Sequence, residues 1–310
     1  MLVLLARPTT SSGRPDQPFG GAVVAPENIY LGAYNRPPNL KDIPEPQNAA
    51  AQQTLGRPLA IDGHYYEFLD TFPIDGERAD AELGQIPLIN WQPNGIKMAE
   101  IGDGRYDDMI RARASELKDY ERPVLLRFAH EMNGDWYSWS PPSAEGQALG
   151  NTVADYIDAW RHIHRLFGEV GVTNVSWVWC PNAVDFPADN AAMQYYPGDA
   201  FVDWIGVDAY NFGAGENTRW RSFSSVFGPI YERLPSTKPV ILAEFGSAEA
   251  GGSKADWLAD MVVRLRDDFD RVRAVVFFDE DDFKIDTSTE ARQAARKLAR
   301  DSLFDAMPPL

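Results

Sequence analysis

The stretch Pro123–Trp139 reads PVLLRFAHEMNGDWYSW. It opens on an unbroken apolar run, Val124, Leu125 and Leu126, the pattern of a strand buried on both faces. It then turns to charge at Arg127, His130 and Glu131, followed by the turn dipeptide Asn133-Gly134 and three aromatics, Trp136, Tyr137 and Trp139. A second stretch, Pro239–Ser247 (PVILAEFGS), repeats the plan: an apolar run, then Glu244 where the strand should end. Strands apolar on both faces belong to parallel sheets covered by helices.

Outward from these two, further strands are expected near Asn28–Tyr34, Leu59–Phe68, Ile86–Trp91, Val175–Cys180, Val202–Asn211 and Val272–Asp279. Helices are expected near Gln47–Leu55, Tyr106–Tyr120, Asn151–Phe167, Ser222–Leu234, Lys254–Asp268 and Ser288–Leu303. In the second of these Ile110, Ala114 and Leu117 share a face, and in the third Tyr156, Trp160, Ile163 and Leu166 do. About eight strands, most followed by a helix, predict an α/β fold that is a single (β/α)8 TIM barrel. It spans 28–305, after an irregular Pro-, Gly- and Ser-rich lead-in over 1–27. The alternative, a doubly wound open sheet, lacks the Gly-rich phosphate loop of its commonest use.

Acidic residues outnumber basic ones, 46 against 29, for a net charge of −17. That argues against nucleic acid and anionic membrane as partners, and nothing in the chain is long enough to span a bilayer. The single cysteine, Cys180, excludes an internal disulfide and reads as a small core residue. The opening MLVLLARP is too short for a secretory apolar region, so either a cytoplasmic location or a removed leader fits.

Barrel active sites lie where the strands end. Here those ends hold His64, Tyr65, Tyr66, Asn90, Trp91, Arg127, His130, Glu131, Trp179, Asn182, Asp208, Tyr210, Asn211, Glu244 and Asp279. Two glutamates among aromatics suit glycoside cleavage, which needs one protonated and one ionised carboxyl group. Glu131, beside His130 and under Trp136, is placed for the raised pKa of a general acid. Glu244, with Arg127 and Tyr210 as expected hydrogen-bond partners, is placed as the ionised nucleophile. A retaining mechanism would set their carboxyl groups about 5–5.5 Å apart. Trp91, Trp136, Trp139 and Trp179 are the candidates for stacking on sugar, with Asn133, His64 and Asp208 as further contacts. His64 is balanced between packing and substrate contact. A metal-dependent hydrolase using His64, His130 and nearby Asp residues is the weaker reading, since no HExxH spacing appears. No metal or organic cofactor is expected.

The segments RFAHEMNGDWYSWS, NVSWVWCPN, YYPGDAFVDWIGVDAYN and PVILAEFG together resemble glycoside hydrolase family 26, retaining barrel enzymes typified by β-mannanases. The likeness runs from about the first strand to the eighth. It implies Glu131 as acid/base, Glu244 as nucleophile, His130 supporting the acid, Tyr210 hydrogen-bonded to the nucleophile, and Trp136 beside the scissile bond. The expected activity is endo-β-1,4-mannanase; mixed-linkage β-1,3-1,4-glucanase and β-1,3-xylanase are alternatives within the family. A catalytically silent carbohydrate-binding barrel is the alternative outside it, and the presence of both glutamates argues against that. The resemblance implies a polysaccharide or oligosaccharide partner, a secreted location and, by default, a monomer. One departure concerns strand eight, where family members often present a tryptophan. This chain has FFDEDDFKID, with Phe278 or Phe283 in that region.

Overall fold

The computed structural model describes residues 23–35, 46–216 and 218–308, so most of the expected lead-in over 1–27 lies outside the described residues. Eight parallel strands close on themselves in sequence order. They are β1 (Tyr30–Tyr34), β2 (Ile61–Glu67), β3 (Ile86–Gln92), β4 (Val124–Phe128), β5 (Val175–Trp179), β6 (Trp204–Asn211), β7 (Val240–Ser247) and β8 (Val272–Phe278). The helices between and after them are α1 (Ala49–Leu55), α2 (Asp75–Glu82), α3 (Met98–Gly102), α4 (Asp107–Tyr120), α5 (Ala144–Leu149), α6 (Val153–Val170), α7 (Phe223–Tyr231), α8 (Lys254–Asp267) and α9 (Thr289–Ala299). The single-barrel expectation holds. Three helices, α2, α3 and α5, have no counterpart in the sequence reading. They are short, and α2 (DGERADAE) buries Gly76, Glu77 and Asp80 rather than an apolar stripe, so hydrophobic spacing could not reveal it.

Two apolar layers hold the barrel. Inside it, Tyr30, Ile61, Leu88, Leu125, Val178, Trp204, Ile241 and Val276 interdigitate, and Val23 packs with them from the N-terminal side. The Val23 amide donates to Ser176 Oγ at 3.0 Å, and its carbonyl accepts Trp204 Nε1–H at 3.2 Å. Outside, Leu126, Phe128, Ile163, Leu242, Phe245 and Trp257 belong to the layer between strands and helices. No described helix is long and apolar enough to cross a membrane.

One irregularity matters for the site. Val207 pairs with Leu242, but Asp208 pairs with Glu244, so β7 carries an extra residue, Ala243. Strict alternation after Ile241 (in) and Leu242 (out) would send Ala243 in and Glu244 out into the apolar outer layer. With the bulge, Ala243 and Glu244 both face inward, and Phe245 returns to the outer layer against Phe277 and Trp257. Bulges beside active sites re-aim side chains in this way.

After β8 the chain is pinned by Lys254, which is buried at the start of α8. Its ammonium donates to the carbonyls of Asp282 (3.1 Å) and Lys284 (2.8 Å) and to Thr287 Oγ1 (2.8 Å). Replacing it with Met leaves these acceptors unmet. Lys254→Met should therefore lose about 2–3 kcal/mol of stability, read as a lower urea midpoint at unchanged slope; an unaltered midpoint would refute the pin.

Candidate active site

The backbone leaving β4 is bent by two residues in the left-handed region, Ala129 (φ 46) and Glu131 (φ 52). Non-glycine residues pay for that conformation, and such strain concentrates at functional sites. The bend is held from both sides: the Ala129 amide donates to the Trp91 carbonyl at 3.0 Å and the Glu131 amide to the Cys180 carbonyl at 2.8 Å. Glu131 is thus presented at the barrel mouth with both carboxyl oxygens engaged. Asn182 Nδ2 donates to Oε1 and Trp136 Nε1 to Oε2, each at 2.7 Å. The indole lies so close to Gly134 that a Cβ there would collide with it. Burial, then the nearby charge of Glu244, pushes the Glu131 carboxyl up to about 7, against the smaller opposing effect of the two hydrogen bonds.

Glu244 sits in a different environment. Its Oε1 accepts from Arg127 Nη2 and from the Tyr65 hydroxyl, and its Oε2 accepts from the Tyr210 hydroxyl. Arg127 is fully buried, with Nη1 shared between both oxygens of Asp208 at 2.7 Å and Nε on Asn90 Oδ1. Burial alone would lower the guanidinium pKa, but Asp208 and Glu244 outweigh it and hold it well above its ordinary value. Burial and the charge of Glu244 likewise raise the Tyr65 and Tyr210 phenols, which keeps them donors. His130 is pushed well below its usual range by burial and by Arg127, so its ring is neutral; Nε2 lies 3.2 Å from the Tyr137 hydroxyl.

Both glutamates open onto one cleft of about 660 Å³. Trp136, Tyr137, Phe186, Tyr210, Phe212, Phe278 and Phe283 give it aromatic walls. Trp136 is 47% exposed, Phe186 53% and Phe212 59%, which leaves ring faces free to stack on flat apolar surfaces. A proton donor held at about 7, an ionisable carboxyl group gripped by three donors, and an aromatic trough can cleave a bond between two sugar rings.

Residues 100–240 match the model of glycosyl hydrolase family 26. The segment contains Arg127, Glu131, Asn182, Asp208 and Tyr210 and stops just short of Glu244. The chain is 36% identical over 259 residues to Endoglucanase H of Acetivibrio thermocellus, covering 79% of this chain and 28% of that protein. It is 29% identical over 209 residues to a mannan endo-1,4-beta-mannosidase of Bacillus subtilis, covering 66% and 46%. Over residues 100–240 the chain is similar to glycosyl hydrolase family 26. It spans less than half the length of these two relatives. Its barrel superposes on a beta-mannanase from a symbiotic protist of the termite Reticulitermes speratus with a TM-score of 0.63, at 18% identity over 92% of this chain and 91% of that one.

Within this barrel, several residues expected at the cleft are elsewhere. Trp91 and Trp179 are fully buried on the outer side of their strands. Trp91 packs on Phe68, Phe72 and Phe128, and Trp179 meets Tyr196 edge-on. Trp139, also buried, stacks on Tyr137 and donates to the His130 carbonyl at 2.7 Å, so it braces the site from behind. Asn133 stitches two loops together: Nδ2 reaches the Asn182 carbonyl (3.0 Å) and Asp185 (2.8 Å), and Oδ1 accepts the Asn182 amide at 2.8 Å. Asp208 lies beneath Arg127 with no exposure, and His64 points outward toward α2. The physical reason is common to the strand residues. Both faces of these strands are buried, so the sequence does not say which residues point in. Tyr65, Asn90, Asn182 and Tyr137 join the site beyond the residues that the sequence singles out for it, the first three from strand ends.

Two outcomes follow. Trp91→Ala should cost about 3–5 kcal/mol of stability, whereas Trp136→Ala, half exposed, should cost far less; comparable losses in chemical unfolding would contradict this placement. Glu131 is raised above its ordinary value, so the folded state loses stability as pH climbs from about 4.5 to about 7. Glu131→Gln, which cannot ionise, should therefore melt higher than wild type at pH 8 and show no such gain at pH 4.

Proposed function

We propose that the barrel over 28–305 is a retaining endo-glycosidase cleaving a β-linked plant polysaccharide, with Glu131 as acid/base and Glu244 as nucleophile. The observation that carries this reading is the opposition of two carboxyl environments in one cleft. Glu131 has neutral donors only and is raised to about 7, while Glu244 is gripped by a guanidinium and two phenols. In the first step Glu244 attacks the anomeric carbon as Glu131 gives its proton to the departing glycosidic oxygen, leaving a glycosyl ester on Glu244. In the second, Glu131 takes a proton from water, which attacks the same carbon and frees Glu244. Arg127, Tyr65 and Tyr210 fix Glu244 and disperse its charge. Neutral His130, braced by Trp139, keeps that side of Glu131 free of a competing cation. The scheme needs no metal or organic cofactor.

Mannan is the first substrate proposed, in keeping with the relative from Bacillus subtilis. Mixed-linkage β-glucan is the second reading. It is favoured by the match to Endoglucanase H over most of this chain, and β8 ends on Phe278 where family members often present a tryptophan. A polymer of either kind is met outside the cell, so we propose that the enzyme acts after secretion, as a monomer.

Reducing-sugar release from galactomannan, mixed-linkage β-glucan and β-1,3-xylan, compared across wild type, Glu131→Ala and Glu244→Ala, tests all of this. Wild type should cut one polymer; Glu131→Ala should be about 10²–10⁴-fold slower and Glu244→Ala inactive. Wild-type kcat/KM should fall as pH rises through about 7, when Glu131 loses its proton. Proton NMR should find the β anomer formed first. Formation of the α anomer would overturn the double displacement, and binding without cleavage would favour the silent barrel.

A further inference from the structure

Behind the barrel wall, β2 and α2 enclose Asp62, His64, Glu77 and Asp80, all with no solvent exposure. Glu77 is satisfied: Oε1 accepts the Tyr66 hydroxyl, and Oε2 accepts the Ile74 amide at 2.8 Å. The other three are not. Asp62 Oδ1, Asp80 Oδ1 and His64 Nδ1 have no hydrogen-bond partner among the described residues. His64 Nε2 lies 2.6 Å from Asp80 Oδ2 and 3.9 Å from Asp62 Oδ2. Among the described residues no lysine or arginine pairs with these acids; their only ion-pair partner is His64. Three carboxyl groups around one imidazole, all removed from water, must be balanced either by protons or by a further cation, and the three unpartnered atoms leave room for the second.

We propose that Asp62, His64 and Asp80 bind a divalent first-row cation, Zn²⁺ or Mn²⁺, as a structural ion clamping β2 to α2. One ligand atom from each residue lies within 4.8 Å of the others. That spacing closes onto an ion with bonds of about 2.0–2.2 Å after small side-chain rotations. One imidazole nitrogen and two carboxylates form a donor set suited to these ions. The orphaned oxygens of Asp62 and Asp80 supply the remaining lone pairs.

Glu77 completes the arrangement. Its Oε1 is 3.8 Å from His64 Nδ1, so it can receive the ring's other N–H and keep Nε2 free for the ion, the usual support of a ligating histidine. Gly76 fits the same purpose, because a Cβ there would come within 3.3 Å of His64 Cε1. The site is separate from the cleft. The neighbouring residue Tyr65 faces the opposite way, toward Glu244, so the ion would stiffen the strand that carries Tyr65 without touching substrate. With no exposed path, uptake is coupled to folding.

The test is to unfold the full chain in EDTA, refold it with ZnCl₂, with MnCl₂ or with EDTA alone, and measure bound metal and melting temperature. One of the two salts should leave about one equivalent bound and raise melting by about 5–10 °C. The double variant Asp62→Asn, Asp80→Asn should retain neither the metal nor the shift. Wild type that holds below about 0.1 equivalent and melts identically in all three conditions overturns the site and leaves protons to balance the acids. Metal that survives the double substitution also overturns it, and would point to the half-buried pair His162–Asp107. If the double variant fails to fold, the wild-type stoichiometry and melting still decide. Polysaccharide cleavage is not the readout, so failure here leaves the two-glutamate reading intact.

Discussion

A fully buried guanidinium organises the mouth of this barrel. Taking Arg127 out of water costs several kcal/mol, and the strands around it answer with oppositely charged or polar partners. Asp208 comes from β6, Glu244 from β7, Asn90 from β3 and Tyr65 from β2. Because these contacts converge on one planar group, the position of Glu244 is set by charge neutralisation as much as by backbone geometry. Arg127 therefore does structural and electrostatic work at once. Without it, Asp208 would be a buried acid stripped of its cation, and Glu244 would be left to the two phenols.

The same charge explains the contrast between the two glutamates. Glu244 is in direct contact with Arg127. Glu131 is reached by it only at a distance, and is nearer in effect to the negative charge of Glu244 than to a compensating cation. Its partners, Asn182 and Trp136, are neutral, and His130 beside it is held uncharged by burial and Arg127. One cation between two acids thus gives Glu244 a charged partner and leaves Glu131 with neutral ones. The left-handed backbone at Ala129 and Glu131 presents the second acid to Asn182 and Trp136 instead.

Much of this was legible in the sequence, and the limits have a physical origin. Apolar runs closed by Glu131 and Glu244 marked strands and their ends, which is sufficient for a barrel and for its two central residues. The facing of side chains was not legible. In β2 and β3 both sides are buried, so His64 and Trp91 looked as plausible for the cleft as Tyr65 and Asn90, which contact Arg127. Trp136 could be told from Trp139 only by the fold of the loop, which exposes one indole and buries the other beneath Tyr137. Helix α2 was invisible because its inner face is acidic, and that acidity has a purpose only once His64 is known to sit opposite.

The bulge in β7 shows how a local irregularity can be required by the whole. Phe245 carries a large apolar ring whose partners, Phe277 and Trp257, lie in the outer layer. Glu244 must face the opposite way to reach Arg127. The preceding inward residue is Ala243, so a regular strand would satisfy neither demand: it would drive the carboxyl group into the outer core and the phenyl ring into the barrel. One extra residue resolves both conflicts, and the small side chain of Ala243 lets two consecutive residues share the crowded interior. The cost of an interrupted ladder is thus offset twice, by a buried aromatic contact and by an acid brought to its cation.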